Sequence, residues 1–273
     1  MTGPPETLEF LEVEPGLRPL ARAMAVRGPS WWTVLRLELR KAVDTRASRA
    51  VLLAVLVLAL GALADELTGA RSAAAADPGA VSFPLYLARA FDGVALLLPV
   101  VGVLATTSEW SQRTALSTFT LVPRRGRVLA AEVVAALLVA LAASLVTAVL
   151  AVGGTVLGAW WSGVPTSFAG ASDAVLGELT TTLLLTLTAA GLGALLGATV
   201  PTLVAFLVLP LAVALAAPRV LSEAAPWVDL HGALADLAAR SVTSWPQVGT
   251  AAALWVALPL AAGAVRSLRR EVS

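Results

Sequence analysis

The chain has no cysteine among its 273 residues. Disulfides, thiolate nucleophiles and Cys-ligated metals are therefore excluded. Its one histidine, His231, is too little for a His-built metal site, and no metal ligands are expected. No G-x-x-x-x-G-K-[ST] loop is present, so the chain does not bind ATP in that way. Neither H-E-x-x-H nor a G-x-S-x-G elbow occurs, and a serine hydrolase has no base to use. No catalytic residue is expected, and no nucleic-acid partner. Charged residues make up only 14% of the chain and are nearly missing from the middles of its apolar runs. A channel with a charged ring or a carrier with a central carboxylate is thus disfavoured. Asp92, Glu132 and Glu178 fall near the ends of such runs, where water or headgroups reach them.

What is present is apolar. The chain is 58% hydrophobic with a mean hydropathy of +0.84, where soluble domains are about 45–50% apolar. The excess lies in blocks whose lengths approach the roughly 20 residues a bilayer span needs. Six blocks are predicted, over about 50–66, 91–108, 128–152, 175–198, 201–217 and 247–265, within a transmembrane domain of residues 50–270. The expected fold class is an all-α polytopic membrane protein. Pro99, Pro210 and Pro259 fall inside spans and predict kinks. Gly153-Gly154 marks the expected end of span three, with Trp160 and Trp161 beyond it as interface anchors.

The polar segments organise the rest. Residues 1–30, with Glu6, Glu9, Glu12 and Glu14, read as a flexible tail. The first apolar block begins too late in the chain for a cleavable signal peptide to be expected. Residues 31–49 read as an amphipathic interface helix. Trp31, Leu35, Leu39 and Val43 recur every four residues beside Trp32, with Arg36, Arg40 and Lys41 opposite. Residues 67–90 read as an outer loop turning at Asp77-Pro78-Gly79, and 162–174 as a second. In residues 218–246, Trp227, Leu230, Leu234 and Leu237 predict a short amphipathic helix on the outer membrane surface. Within span four, Thr182, Thr186, Ala190, Gly193 and Gly197 form one stripe of small or hydroxylated residues. Such a stripe lets another helix approach closely, within one bundle or across a subunit interface.

Sidedness follows from the basic residues. Arg18, Arg22, Arg27, Arg36, Arg40, Lys41, Arg46 and Arg49 precede span one. Arg113, Arg124, Arg125 and Arg127 lie between spans two and three, and Arg266, Arg269 and Arg270 close the chain. Only Arg71, Arg89, Arg219 and Arg240 fall in the alternate segments. The positive-inside rule then places both termini and residues 109–127 in the cytoplasm. That last segment is a short basic handle between two spans.

Three stretches carry a resemblance. Arg36-Leu37-Glu38-Leu39-Arg40-Lys41 is similar to an L-R-x-E-L-x-K entry helix. Glu109-Trp110 and Thr114, followed by Pro123-Arg124-Arg125-Gly126-Arg127-Val128-Leu129-Ala130-Ala131, is similar to E-[YFW]-x-x-G-T and then P-x-R-x-x-V-L-x-A-K. Trp255, Ala262-Gly263 and Arg269-Arg270-Glu271-Val272 are similar to a closing W-x-x-x-x-x-x-x-G with R-D-[VA]. Over about residues 33–272 the chain resembles the membrane subunits of type-2 (ABC-2) ABC exporters of actinobacteria. It departs from their pattern at Arg113, Glu132 and Glu271, where Gly, Lys and Asp are usual. The resemblance implies a permease subunit in the cell membrane that moves a hydrophobic or amphipathic substrate. It implies pairing with a second permease copy and with a separate ABC ATPase, which binds the ATP and Mg. On that view Glu109, Trp110, Arg113, Thr114, Pro123, Arg124, Arg125 and Arg127 form the coupling site to the ATPase. The three arginines after Pro123 are equally explained as membrane anchors. The resemblance also implies re-entrant helices before span six. A non-transporting membrane scaffold or assembly factor is the alternative reading.

Overall fold

The computed structural model describes residues 29–76, 79–111, 125–238 and 242–269. Residues 1–28 of the expected tail 1–30 lie outside them. The chain is an all-α membrane protein with six helices long and apolar enough to cross a bilayer: Arg46–Ser72, Phe83–Ser108, Gly126–Ser162, Ala171–Leu196, Thr199–Val220 and Trp245–Arg266. Each contains or overlaps the block expected from hydropathy, and most are longer.

Helix α1 (Trp31–Asp44) opens at Ser30, whose hydroxyl accepts the Thr33 N–H. That bond satisfies one of the four orphan donors of the first turn. The face it buries overlaps the expected one, with Leu35 buried and Trp31 and Leu39 partly so, but is rotated away from Val43. Val34, Leu35, Glu38 and Ala42 are buried, whereas Trp32 is 71% exposed and Val43 41%. The physical reason is that α1 packs on protein: Val34 and Leu35 seat on Val128, Ala131 and Ala135 at the base of span three. Trp32, Leu37 and Val43 are left for the membrane surface. Thr45 is extended (φ −72°, ψ 147°) and breaks the helix. Its Oγ1 accepts the Ser48 N–H and donates to Ser48 Oγ, so it caps the next helix.

Helix α2 (Arg46–Ala76) is 31 residues long. It runs on well past Asp65 and Glu66, so the expected outer loop of 67–90 shrinks at both ends. Strand β1 (Val81–Ser82) follows, then α3 (Phe83–Leu97) and α4 (Val100–Ser111). Span two is α3 and α4 together. Their break falls at Leu98 and Pro99, where the proline has no N–H to continue the ladder.

Helix α5 (Arg125–Ser162) has 38 residues, about 57 Å at the standard rise. It does not stop at Gly153-Gly154. A Cβ on Gly154 would come within 3.0 Å of Leu63 and 3.2 Å of the Tyr86 ring, and Gly158 also faces that tyrosine. Gly154 and Gly158 are packing residues, not terminators. The second outer loop contains β2 (Thr166–Ser167), which pairs in parallel with β1, Val81 opposite Thr166. Phe83 stacks on Phe168 beside it, ring centroids 5.4 Å apart.

Helices α6 (Ala171–Leu196) and α7 (Thr199–Val220) are spans four and five. A 3-10 turn, Ser222–Trp227, leads to α8 (Leu230–Ala238). Helix α8 does not lie on the surface. Leu230 and Leu234 are buried against Trp255, Leu184, Leu185 and Val213. A short helix packed that far along span four re-enters the bundle from its outer end. Span six combines α9 (Trp245–Ala252), a π-turn at Ala253–Ala257 and α10 (Leu258–Arg269). The π-turn carries Trp255, whose indole N–H donates to the Val228 carbonyl at 2.8 Å.

The largest apolar cluster joins spans one, two and three around Leu87, Phe91, Val94 and Leu98, with Val55, Ala59 and Ala140 facing them. Spans one and five turn many Leu and Val outward, as lipid-facing helices do.

Candidate coupling site and helix-packing face

The basic handle connects α4 to α5. Glu109 and Trp110 lie in the last turn of α4, and Arg125 opens α5; their side chains lie outside the described residues, as do Arg113, Thr114, Pro123 and Arg124 altogether. Arg127 is half-exposed in the first turn of α5. The structure therefore gives the two ends from which the handle hangs.

Those ends are surrounded by polar groups. Glu38 of α1 is only 6% exposed, as is Glu132 of α5. Lys41 Nζ sits 2.8 Å from a Glu38 carboxylate oxygen, which offsets the cost of burying that charge. Thr107, three residues before Ser111's neighbour Trp110, shares a 2.9 Å hydroxyl bond with Thr199 at the start of α7. Arg266, near the end of span six, donates to the Leu195 carbonyl at the end of span four. A cation there also complements the negative end of the α6 dipole. The base of spans two to six and helix α1 thus meet at one end of the bundle. Glu38 and Glu132 are buried at that end. Glu38 lies within the entry-helix pattern, but spacing alone does not reveal its burial.

The span-four stripe faces inward. Thr182 and Thr186 are fully buried and Ala190 is 1% exposed. Their neighbour is span two. A Cβ on Gly102 would lie 2.6 Å from the Thr186 carbonyl oxygen, and one on Gly193 would strike Thr106. Thr186 Oγ1 donates to the Thr182 carbonyl at 2.8 Å. Thr182 Oγ1 is buried with no hydrogen-bond partner. Gly197 plays a different part from the other four. It stands just past the helix at φ +66°, its N–H bonded to the Gly193 carbonyl, and so ends span four. Periodicity marks the span-four face but not its partner Gly102, which the spacing in span two does not single out. The opposite side of span four takes span six, where Gly263 would bring a Cβ to 2.7 Å from Ala194.

Two carboxylates sit further along their helices than expected, Asp92 with its side chain exposed and Glu178 half-buried. Because α3 starts at Phe83, Asp92 lies about 13 Å along it. Glu178 lies about 10 Å along α6. Nearby, Arg89 bridges Glu66 at 2.9 Å and approaches Asp92 at 3.8 Å. These are not helix-end residues, although all stay toward the outer half. Among the described residues, no group of three His, Asp or Glu side chains is placed to hold a metal.

No family model, curated protein or solved structure matches this chain.

Proposed function

We propose that this chain is the membrane-spanning permease subunit of an ATP-driven exporter of the ABC-2 type. It moves a hydrophobic or amphipathic substrate across the cytoplasmic membrane, and a separate ATPase subunit binds ATP and Mg. The observation that carries the reading is the convergence at one end of the bundle. The two helix ends that the handle joins, the buried base of span three and the docked helix α1 lie together there, at the end the positive-inside rule assigns to the cytoplasm. A motor that grips residues 109–127 thereby pulls on spans two and three at once. The small, hydroxylated packing faces and the re-entrant α8 are compatible with this reading.

ATP closes a pair of ATPase subunits, two handles are pushed together, and two permease copies rock between inward and outward access. Energy shifts the bundles only if the ATPase contacts the two states differently. The test is a pull-down in gentle detergent, identification of any nucleotide-binding protein, and an ATPase assay with candidate cargo. Cargo-stimulated hydrolysis that disappears on deletion of residues 109–127 supports the proposal. Stimulation that survives the deletion refutes the coupling role, and absence of any ATPase favours the scaffold reading.

A further inference from the structure

A cavity of about 410 Å³ opens at the cytoplasmic end, where α1 turns into α2. Ala42, Ala47, Leu104 and Ala105 line its body, and Lys41 and Arg46 also contribute. It lies between the interface helix, the start of span one, the inner end of span two and the start of span five. We propose that it holds an acyl chain of an anionic phospholipid from the inner leaflet, with the lipid phosphate on Arg46. The inference rests on the membrane fold and its sidedness, and is independent of the exporter reading.

Charge singles out Arg46. Lys41 is paired with Glu38 at 2.8 Å, and Arg49 with Asp44 at 3.0 Å. Arg46 has no acidic partner among the described residues, and it is exposed. Among the described residues the charged side chains lining the cavity are Glu38, Lys41 and Arg46, which together carry one net positive charge. An anion is the complementary occupant, and a guanidinium is suited to phosphate.

Polarity selects the rest of the ligand. Three hydroxyls in the wall bond to other hydroxyls: Thr45 with Ser48 at 2.8 Å, and Thr199 with Thr107 at 2.9 Å. What remains is mostly alanine and leucine. Ordered water needs two to four polar partners, and this lining offers few. The volume suits on the order of a dozen water-sized groups, which is the scale of a partly inserted acyl chain. The cavity is neither sealed nor deep in the bundle, and it opens beside a helix whose outer face carries Trp32, Leu37 and Val43. A chain already in the inner leaflet reaches it without crossing a polar barrier, while its headgroup stays level with Arg46.

The test uses the full chain, purified and stripped of lipid in detergent. Native mass spectrometry and thermal melting are followed on adding palmitoyl-oleoyl phosphatidylglycerol, the phosphatidylcholine analogue, or inorganic phosphate. Phosphatidylglycerol is expected to remain bound and to raise the melting temperature; the other two are not. R46Q should weaken phosphatidylglycerol binding about tenfold, while R49Q, whose arginine is neutralised by Asp44, should leave it within twofold. A105F should remove the bound lipid by filling the cavity, and A47M does the same from the exposed wall should A105F fail to fold. Equal losses in R46Q and R49Q mean general attraction to the basic surface and overturn the site. Stabilisation by inorganic phosphate identifies a free-anion site and overturns the lipid. Unchanged lipid binding in folded A105F or A47M overturns the acyl-chain assignment.

Discussion

Replacing Gly102 by alanine tests whether spans two and four are held by backbone approach. A Cβ there would stand 2.6 Å from the Thr186 carbonyl oxygen and 3.2 Å from the Ala190 nitrogen. Ordinary contact begins near 3.4 Å, so the two helices must part by about 0.8 Å, or the Thr186 carbonyl must tilt. The tilt is resisted, because that oxygen is the helical acceptor for the Ala190 N–H. Parting is resisted too. A gap of about 0.5–1 Å forfeits a quarter to a half of each dispersion contact, and each contact is worth about 0.1–0.2 kcal/mol. Val103, Ala189 and Leu192 pack in the same cluster and lose contact together. Over some tens of atom pairs the cost comes to about 1–3 kcal/mol. The better helix propensity of alanine returns about 0.5–1 kcal/mol. The control is Gly61→Ala in span one, where a Cβ meets nothing within 4 Å and the same propensity gain stands alone. Equilibrium unfolding in mixed micelles of rising dodecyl sulfate content should separate the two variants by about 1–3 kcal/mol, G102A the less stable. Stabilities within about 0.5 kcal/mol of each other refute the close approach.

Trp255→Phe removes the indole donor from the Val228 carbonyl and shrinks the ring against Leu230 and Leu234. Hydrogen exchange over residues 222–238 should rise, with a local cost of about 1–3 kcal/mol; unchanged exchange means that the tryptophan does not hold α8 in place. Leu35→Ala empties the seat on Val128, Ala131 and Ala135, and should raise exchange across α1 by an amount equivalent to about 2–3 kcal/mol while the spans stay protected. The absence of native cysteine permits a direct test of sidedness. In intact cells an impermeant maleimide should label Ser167→Cys, in the outer loop, and spare Gln112→Cys in the handle until the membrane is opened. Labelling of the handle from outside reverses the topology.

Hydropathy locates the spans well because the bilayer imposes one length and one solvent on all of them. It fails at their ends. Asp65-Glu66 and Gly153-Gly154 end an apolar window, but neither ends a helix. Backbone hydrogen bonding is indifferent to whether the side chains outside are wetted. A glycine inside a membrane helix is also as often a contact surface as a stop. Gly154 is the first kind and Gly197 the second, and only φ distinguishes them. Helix α1 shows a second limit. Its four-residue spacing gives a face through Leu35, but the buried side is centred on Glu38 and Ala42. An amphipathic pattern measured against water does not anticipate that protein covers one side and membrane the other. Of the residues proposed for coupling, Arg127 alone has a described side chain, so the handle's assignment rests on charge and spacing.

Span four is where these considerations meet. Between helices in lipid there is little hydrophobic drive to associate, since the tails are as apolar as leucine. Helix pairing must come from close packing and from hydroxyls that bond internally. Span four is accordingly the helix with small residues on both sides: Thr186 and Gly193 toward span two, Gly191 and Ala194 toward span six. Gly177 takes the end of α8, and Thr181 donates to the Leu234 carbonyl from the same side. Its buried threonines mostly return their protons to carbonyls four residues back, as Thr186 and Thr188 do. They therefore present methyl groups to their neighbours and leave no polar atom in hydrocarbon. Thr182 departs from that pattern, and it departs in the interior, where an unpaired hydroxyl is costly. A helix that contacts spans two, three, five and six and also α8 cannot move without moving most of them. Spans two, four and six pack closely on one another through Gly102, Gly193 and Gly263, and spans one and five, faced with exposed leucine and valine, are the lipid-facing flanks of the bundle.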